Sequence, residues 1–343
     1  MQFIPFKELT LIKAFAAFSP KDTLKPFEYE PGALKPKEVE IDIQYCGICH
    51  SDLSVMNNDW GFTQYPVVPG HEVVGTISQV GIEVKHLKLG QTVGLGWHAG
   101  YCNECVQCQS GDRNLCSNST ATIIGHHGGF ADKVRADANS VIPIPEGIDL
   151  ESAGPLFCGG ITVFNPLVQY DIKPIHKVAV IGIGGLGHMA LQFLNAWGCD
   201  VTAFTSSANK KKTALGLGAH HALNSSDPVE IETAVGRFDF IISTVNVKLD
   251  WNLYLRTLKP NGRLHFVGAT LEPLDINVFS LIMNQRSISG SPVGSPATMA
   301  QMLEFTKRHK IKPVIEKFSF ADVNQAIERL KSGQTQYRIV LCR

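Results

Sequence analysis

Five stretches of this chain carry residue types that do chemistry in company rather than alone. Cys46-Gly47-Ile48-Cys49 runs straight into His50-Ser51-Asp52. Gly70-His71-Glu72 and the isolated Cys158 follow at long range. Cys102, Cys105, Cys108 and Cys116 form a C-x2-C-x2-C-x7-C array in a loop rich in Gly, Asn, Gln and Ser. The run Gly182-Ile183-Gly184-Gly185-Leu186-Gly187 comes last.

The array is the most specific of these. Two-residue gaps let a tight loop turn successive sulfurs inward, and four thiolates close a tetrahedral Zn²⁺. Ferredoxin clusters share the opening C-x2-C-x2-C, but the next gap differs and no proline follows Cys116. Disulfides conflict with the reducing compartment expected of a chain without a visible export signal. The spacing therefore predicts a structural zinc, with no open position for a reactant. Cys49, His71 and Cys158 are a different kind of set. Two thiolates and one imidazole suit a catalytic zinc, which keeps a fourth position open. Spacing alone leaves this open: buried cysteines also serve as core filler, and Cys46 competes with Cys49 for the same role.

The elements that must hold these residues can be read around them. Val39, Ile41, Ile43 and Tyr45 alternate with Glu40, Asp42 and Gln44, the period of a half-buried strand delivering Cys46 to Cys49. Closely spaced glycines around His71 suggest a compact β domain, ending near Val141 to Gly147. Lys177-Val178-Ala179-Val180-Ile181 reads as a buried strand ahead of the glycine run. Leu186, Met189, Ala190, Phe193, Leu194 and Trp197 then recur at helical spacing, with Gly198 as the stop. A glycine run between strand and helix lets a dinucleotide pyrophosphate approach the helix N-terminus.

The strand Val201 to Phe204 bears on the choice of cofactor. An NAD enzyme places an acid at the end of this strand, for the ribose diol. Here Thr205-Ser206-Ser207 and then Lys210-Lys211-Lys212 stand instead. Hydroxyls and cations suit a 2′-phosphate, so the expectation is NADP(H), with Ser206 and Lys210 as its main contacts.

Composition sets the frame. The 343 residues are 44% hydrophobic and 18% charged, enough for two packed domains. Lys+Arg 31 balances Asp+Glu 31, which argues against nucleic acid or an anionic membrane as partner. The apolar segment Leu9 to Phe18 is interrupted by Lys13 and is too short for a signal core or a membrane span. A cytoplasmic protein with reduced cysteines is the expectation. His126-His127, Cys199 and Cys342 read as loop and core residues rather than ligands.

Taken together and in this order, the motifs resemble the zinc-dependent medium-chain alcohol dehydrogenases. They include Pro155-Leu156-Phe157-Cys158-Gly159-Gly160-Ile161-Thr162, and the branch resembled is that of the cinnamyl alcohol dehydrogenases. Cys49 to Ser54, Asn58-Asp59-Trp60-Gly61-Phe62 and Ile242 to Val247 are similar to the bacterial NADPH-dependent, broad-specificity aldehyde reductases. The resemblance spans essentially the whole chain. It implies an α/β and mainly-β two-domain fold, a GroES-like β catalytic domain plus a Rossmann doubly wound parallel sheet. The implied boundaries are 1–152 for the catalytic domain, 153–290 for the NADP-binding domain and 291–343 for the return to the first. It implies two Zn²⁺ per chain, the catalytic one on Cys49, His71 and Cys158 in a cleft between the domains. Glu72 would stand beside it, ready to replace water as a ligand, and Cys46 becomes a structural neighbour. Asp52 would bond the far ring nitrogen of His71. Ser51 would begin proton delivery to the reduced oxygen. Ser54 departs from the histidine usual three residues after that hydroxyl, and His50 is assigned either to the proton route or to the cofactor phosphates.

Gly182, Ile183, Gly184, Gly185, Leu186 and Gly187 would cradle the pyrophosphate, with Thr205, Ser206, Ser207 and Lys210 at the 2′-phosphate. Thr162, Thr244, Val245, Gly268, Ser289, Gly290 and Ser291 would line the nicotinamide side. Trp60 would wall the substrate pocket, joined by Trp97 from its place beside the metal loop. The implied activity is hydride transfer between NADP(H) and a broad range of aldehydes or primary alcohols, with bulky apolar pocket walls suiting aromatic or medium-chain aldehydes over formaldehyde, in a homodimer joined through the cofactor-domain sheets. An NAD-linked alcohol oxidiser and a non-catalytic NADP-binding zinc protein are the competing readings.

Overall fold

A computed structural model describes residues 11–206 and 208–343. Ser207 and the start of the apolar segment at Leu9 lie outside the described residues. The chain divides into two units: Met1–Cys158 with Glu316–Arg343, and Gly159–Ile315.

The first unit is built on the strand Glu38–Ile48. It pairs antiparallel with Glu72–Val80, Lys133–Asp137 and the C-terminal strand Arg338–Cys342. The register sets Gly47 beside both Glu72 and Val340. Gly47 is needed there: a Cβ would fall 1.9 Å from Glu72 Oε2. Val39, Ile41 and Ile43 are buried as the alternation predicts. Glu40 departs from it, being fully buried. It is not stranded, because Arg135 Nε donates to it at 2.8 Å and Lys133 Nζ lies 3.2 Å away. The helix His50–Asn57 begins directly at the strand end, and Asn58 closes it in the left-handed region.

The second unit is a six-stranded sheet with every neighbouring pair parallel. Its spatial order is His221–Asn224, Asp200–Thr205, Lys177–Ile181, Phe238–Ser243, Leu258–Phe266, Ser287–Gly290. By sequence rank that is 3-2-1-4-5-6, the dinucleotide-binding order. Phe204, Phe238, Trp251 and Tyr254 share one core cluster. Phe164, Phe193, Trp197 and Phe305 form a separate aromatic cluster. The helix Gly187–Trp197 follows the glycine run, and Gly198 stops it at φ +98°.

These divisions differ from the 152/153 and 290/291 boundaries expected from sequence. Residues up to Cys158 stay with the first unit because the turn Gly154–Phe157 packs on its sheet. A Cβ at Gly94 would sit 2.0 Å from the Phe157 ring. The helix Pro296–His309 stays with the second unit because Phe305 stacks against Phe164, Phe193 and Trp197. No helix among the described residues is long and apolar enough to cross a membrane.

Candidate metal centres and cofactor site

All described cysteines are free thiols. Cys102, Cys105, Cys108 and Cys116 bring their sulfurs within 4.8 Å of one another. Cys102 Sγ is 3.9 Å from Cys108 Sγ and 3.5 Å from Cys116 Sγ. Tetrahedral ligands at a Zn–S distance of ~2.3 Å stand roughly 3.8 Å apart, so the spacing fits a four-thiolate zinc. Backbone N–H groups of Glu104 and Cys105 face the Cys102 sulfur and hold its thiol down to about 6, which prepares the thiolate a metal needs.

The second group joins Cys49, His71, Glu72 and Cys158, all buried, with ligand atoms again within 4.8 Å. Cys49 Sγ and Cys158 Sγ are 3.9 Å apart. Cys49 follows the strand Glu38–Ile48 and caps the helix after it, a glycine turn carries His71, and Cys158 closes the Gly154–Phe157 turn. Asp52 organises them. One of its oxygens accepts from the Cys49 N–H at 2.8 Å; the other accepts from the Gly70 N–H at 2.8 Å and faces His71 Nδ1 at 2.9 Å. A carboxylate only accepts, so Nδ1 carries the hydrogen and Nε2 presents its lone pair. Nε2 is buried without a partner, as is Glu72 Oε2. Two orphaned buried donor atoms beside two thiols fit a soft divalent metal. Burial alone would lower the His71 pKa; Asp52 and Cys49 outweigh it and raise it, so a metal taking the Nε2 lone pair displaces any proton held there. The two sulfurs lie within hydrogen-bond reach with either as donor, and this pairing lowers the Cys49 thiol and raises the Cys158 thiol.

Cys46 separates from this group. It is fully buried, and its sulfur lies under Gly70 and Gly129. Burial pushes its thiol up, so the ambiguity left by C-x-x-C resolves toward Cys49. Ser51 sits in the first helical turn, its hydroxyl 3.8 Å from Cys49 Sγ. His50 is exposed beside it. Trp97 meets His71 edge-on at 5.1 Å, and Trp60 meets Trp97 at 6.0 Å, so Trp97 borders the metal group and Trp60 extends from it. Phe62, half exposed, continues the row from Trp60 at 5.8 Å.

A further residue of this group, not marked by any motif, is Arg338. It is 6% exposed, pairs with Glu72 Oε1 through Nη2, and holds Nη1 4.0 Å from Cys49 Sγ. Its charge offsets a cluster of thiols and a carboxylate. The signal was present: a cation opening the apolar run Arg338-Ile339-Val340-Leu341, in a strand buried along its length.

In the second unit, Gly182 takes φ +85°, and a Cβ on Gly187 would fall 1.9 Å from Gly182 O. Gly184 has nothing within 4 Å of its Cβ position, which leaves room for a ligand there. Ile183, Gly185 and Leu186 complete the loop ahead of the helix. Thr244 donates to Ile181 O at 3.0 Å and Gly182 O at 2.7 Å. Val245 packs on Gly182, and Gly268 lies against Val245 O. Thr244 and Val245 therefore brace the glycine turn directly, and Gly268 packs behind them. Thr162 is buried in the first turn of the helix Gly159–Gln169.

At the end of Asp200–Thr205, Thr205 is buried while Ser206 and Lys210 are exposed. One of the three lysines that follow is already paired. Glu230 bonds Lys211 Nζ at 2.8 Å and accepts from the Asn224 N–H. Glu230 comes from the later helix Pro228–Glu232, which hides the pairing from local reading. His126 bonds Thr122 O and His127 packs on the Tyr29 ring, outside both cysteine groups.

A GroES-like sheet carrying two thiol-rich metal groups, with a 3-2-1-4-5-6 parallel sheet, defines a zinc-type two-unit dehydrogenase. Residues 35–146 match the family Alcohol dehydrogenase GroES-like domain, and 185–308 match Zinc-binding dehydrogenase. Aldehyde reductase AdhA of Synechocystis is 62% identical, over 96% of this chain and 98% of its own length. A cinnamyl alcohol dehydrogenase of Sorghum bicolor superposes with TM-score 0.93 at 37% identity, covering 97% of this chain and 98% of that one. The CAD from Helicobacter pylori, solved with NADP(H), gives TM-score 0.88 at 33% identity, covering 97% and 98%. The chain belongs to the zinc-binding medium-chain alcohol dehydrogenases.

Proposed function

We propose that the chain is an NADPH-dependent aldehyde reductase, which also runs as an alcohol dehydrogenase, moving a hydride between NADP(H) and a broad range of aldehydes or primary alcohols. The observation that carries this reading is the buried group Cys49, His71 and Cys158, with Nε2 free and Nδ1 tied to Asp52. A zinc held there supplies Lewis-acid polarisation of a carbonyl oxygen. The array Cys102, Cys105, Cys108 and Cys116 would hold the second zinc, closed against chemistry and fixing its loop.

The chain's own residues do the rest. Asp52 fixes the ring orientation and tautomer of His71. Ser51 takes up and passes on the proton that balances hydride delivery, since a hydroxyl both accepts and donates. Ser54 offers no imidazole to continue that route, so the exposed, adjacent His50 is the imidazole left to serve it. Arg338 keeps Glu72 paired, and Glu72 Oε2 stays available for ligand exchange. Trp60 and Trp97, set edge to face, give a bulky apolar wall suited to aromatic or medium-chain aldehydes rather than formaldehyde. Gly182, Gly184 and Gly187 admit the pyrophosphate at the helix N-terminus, Ser206 and Lys210 take the 2′-phosphate, and Ser207 belongs with them by sequence. The aldehyde reductase and NADP(H) assignments of similar proteins support this reading. A cytoplasmic homodimer completes the proposal.

The test is initial rates on an aldehyde panel with NADPH and NADH, on protein whose zinc is counted. The expectation is two zincs per chain and a clear preference for NADPH and for aromatic over one-carbon aldehydes. Equal use of NADH favours the NAD-linked reading. One zinc per chain and no turnover would mean a non-catalytic NADP-binding protein.

A further inference from the structure

The strands Leu258–Phe266 and Ser287–Gly290 end side by side, with His265 opposite Ser289. His265 is fully buried, yet both ring nitrogens have partners. Nδ1 lies 2.9 Å from Ser289 Oγ and Nε2 lies 3.0 Å from Ser291 Oγ. The serines are two residues apart, so extended backbone sends both hydroxyls to one side. Tyr170 at 5.1 Å and Phe240 at 5.7 Å wall the ring. Burial, reinforced by the charge of Arg263, holds His265 down to about 4. The ring is therefore neutral, with one nitrogen donating and the other accepting. Turning either serine away would strand a buried ring nitrogen. An ordinary core histidine ties itself to whatever is near. This one ties two hydroxyls of the same strand end.

The place matters. In this sheet order the dinucleotide crosses the carboxyl ends of the strands. The glycine run follows Lys177–Ile181, so the adenosine half belongs to the side of Asp200–Thr205. The nicotinamide half then belongs to the side of Phe238–Ser243, Leu258–Phe266 and Ser287–Gly290. At Gly290 only Phe266 O lies within 4 Å of the Cβ position, at 3.3 Å, so the backbone there is open to a neighbour.

We propose that His265 is a positioning residue for the nicotinamide half of the cofactor. By spanning the Ser289 and Ser291 hydroxyls, it fixes the backbone of Ser289-Gly290-Ser291 against which that half rests. The inference depends on the NADP(H) reading above. His265 touches no cofactor atom; it acts through the two serines.

The experiment uses the full, zinc-replete chain and two titrants: NADPH, and 2′,5′-ADP, which keeps the 2′-phosphate but lacks nicotinamide. His265→Phe preserves the ring volume and removes both bonds; Ser291→Ala removes one without disturbing the aromatic wall. Both variants should bind NADPH roughly tenfold more weakly, two lost hydrogen bonds for the first and one plus a stranded nitrogen for the second. Binding of 2′,5′-ADP should stay within about twofold, as for an independent site. His265→Asn, which keeps a donor and an acceptor, should recover part of the loss. Equal weakening of both titrants, or unchanged NADPH binding in Ser291→Ala, overturns the proposal. Should unaltered protein ignore 2′,5′-ADP, the NADP(H) reading falls, and NADH against ADP then decides the clamp by the same comparison.

Discussion

Asp52 does the most with the least. One carboxylate caps the helix His50–Asn57 through the Cys49 N–H, ties down Gly70 and orients His71. Asp52→Asn puts an amide NH2 where an acceptor is needed, against an N–H on at least one side. Partners of this kind are worth about 10–100-fold in metal affinity. The expected outcome is selective: under a graded chelator challenge, metal analysis falls from two zincs per chain to one, and the surviving zinc is the four-cysteine one. Retention of both metals at wild-type chelator concentrations would reduce Asp52 to a helix cap. Not everything at this scale was legible. Cys102 to Cys116 announced themselves because their spacing is local. Cys49, His71 and Cys158 are 22 and 87 residues apart in succession, and only the resemblance singled them out. Arg338 is hidden from local reading because a single cation in a terminal strand looks like a solvated one until the pairing of Ile339 with Ile48 and Val340 with Gly47 brings it to Glu72 and Cys49. Glu230 escaped because its lysine partner lies in an earlier helix.

Strand, glycine run and helix were readable in the second unit because each obeys a local period. The unit boundaries were not, because packing decides them. The Gly154–Phe157 turn belongs to whatever shields Phe157, and the helix Pro296–His309 to whatever shields Phe305. The same local–nonlocal contrast gives a test at the element scale. Gly187 opens the helix Gly187–Trp197 with its Cα pressed on the preceding turn; a Cβ would lie 1.9 Å from Gly182 O and 3.2 Å from Thr244 Oγ1. The first obstacle is backbone and cannot rotate away. Forcing such an atom in costs about 1–3 kcal/mol of local strain. Gly187→Ala should therefore weaken NADPH binding by about tenfold or more, since 1.4 kcal/mol is already a factor of ten. Both zincs should remain, because all eight proposed metal-group residues lie in the first unit. Titration with NADPH and metal counting on the same sample check it; loss of zinc would show that the damage is global rather than confined to the loop.

At the scale of the molecule, the second unit leaves an edge to be accounted for. The sheet stops at Ser287–Gly290, which pairs only with Leu258–Phe266 among the described strands. Just ahead of it, the helix Val278–Ile282 exposes Val278 at 60%, Phe279 at 66% and Ile282 at 67%, and Met283 follows at 62%. Four large apolar side chains open to water beside an unpaired strand edge form the kind of patch that marks an interface. A two-fold axis through such an edge pairs the strand with its own copy, antiparallel, and uses the same patch twice. Parallel strands within each copy do not obstruct this, because the two-fold reverses direction only across the junction. The expected assembly is a dimer, with Phe279 and Ile282 of each copy covered. Phe279→Lys combined with Ile282→Lys places four like charges into that junction, and sedimentation should show a shift from dimer to monomer. Zinc content should hold at two per chain, since the metal groups belong to the other unit. The edge carries Ser289, so NADPH binding should weaken in the monomer to the extent that the partner strand steadies it. A dimer that survives both lysines would move the interface away from this strand, while a wild-type chain that sediments as a monomer would leave the patch to a different partner.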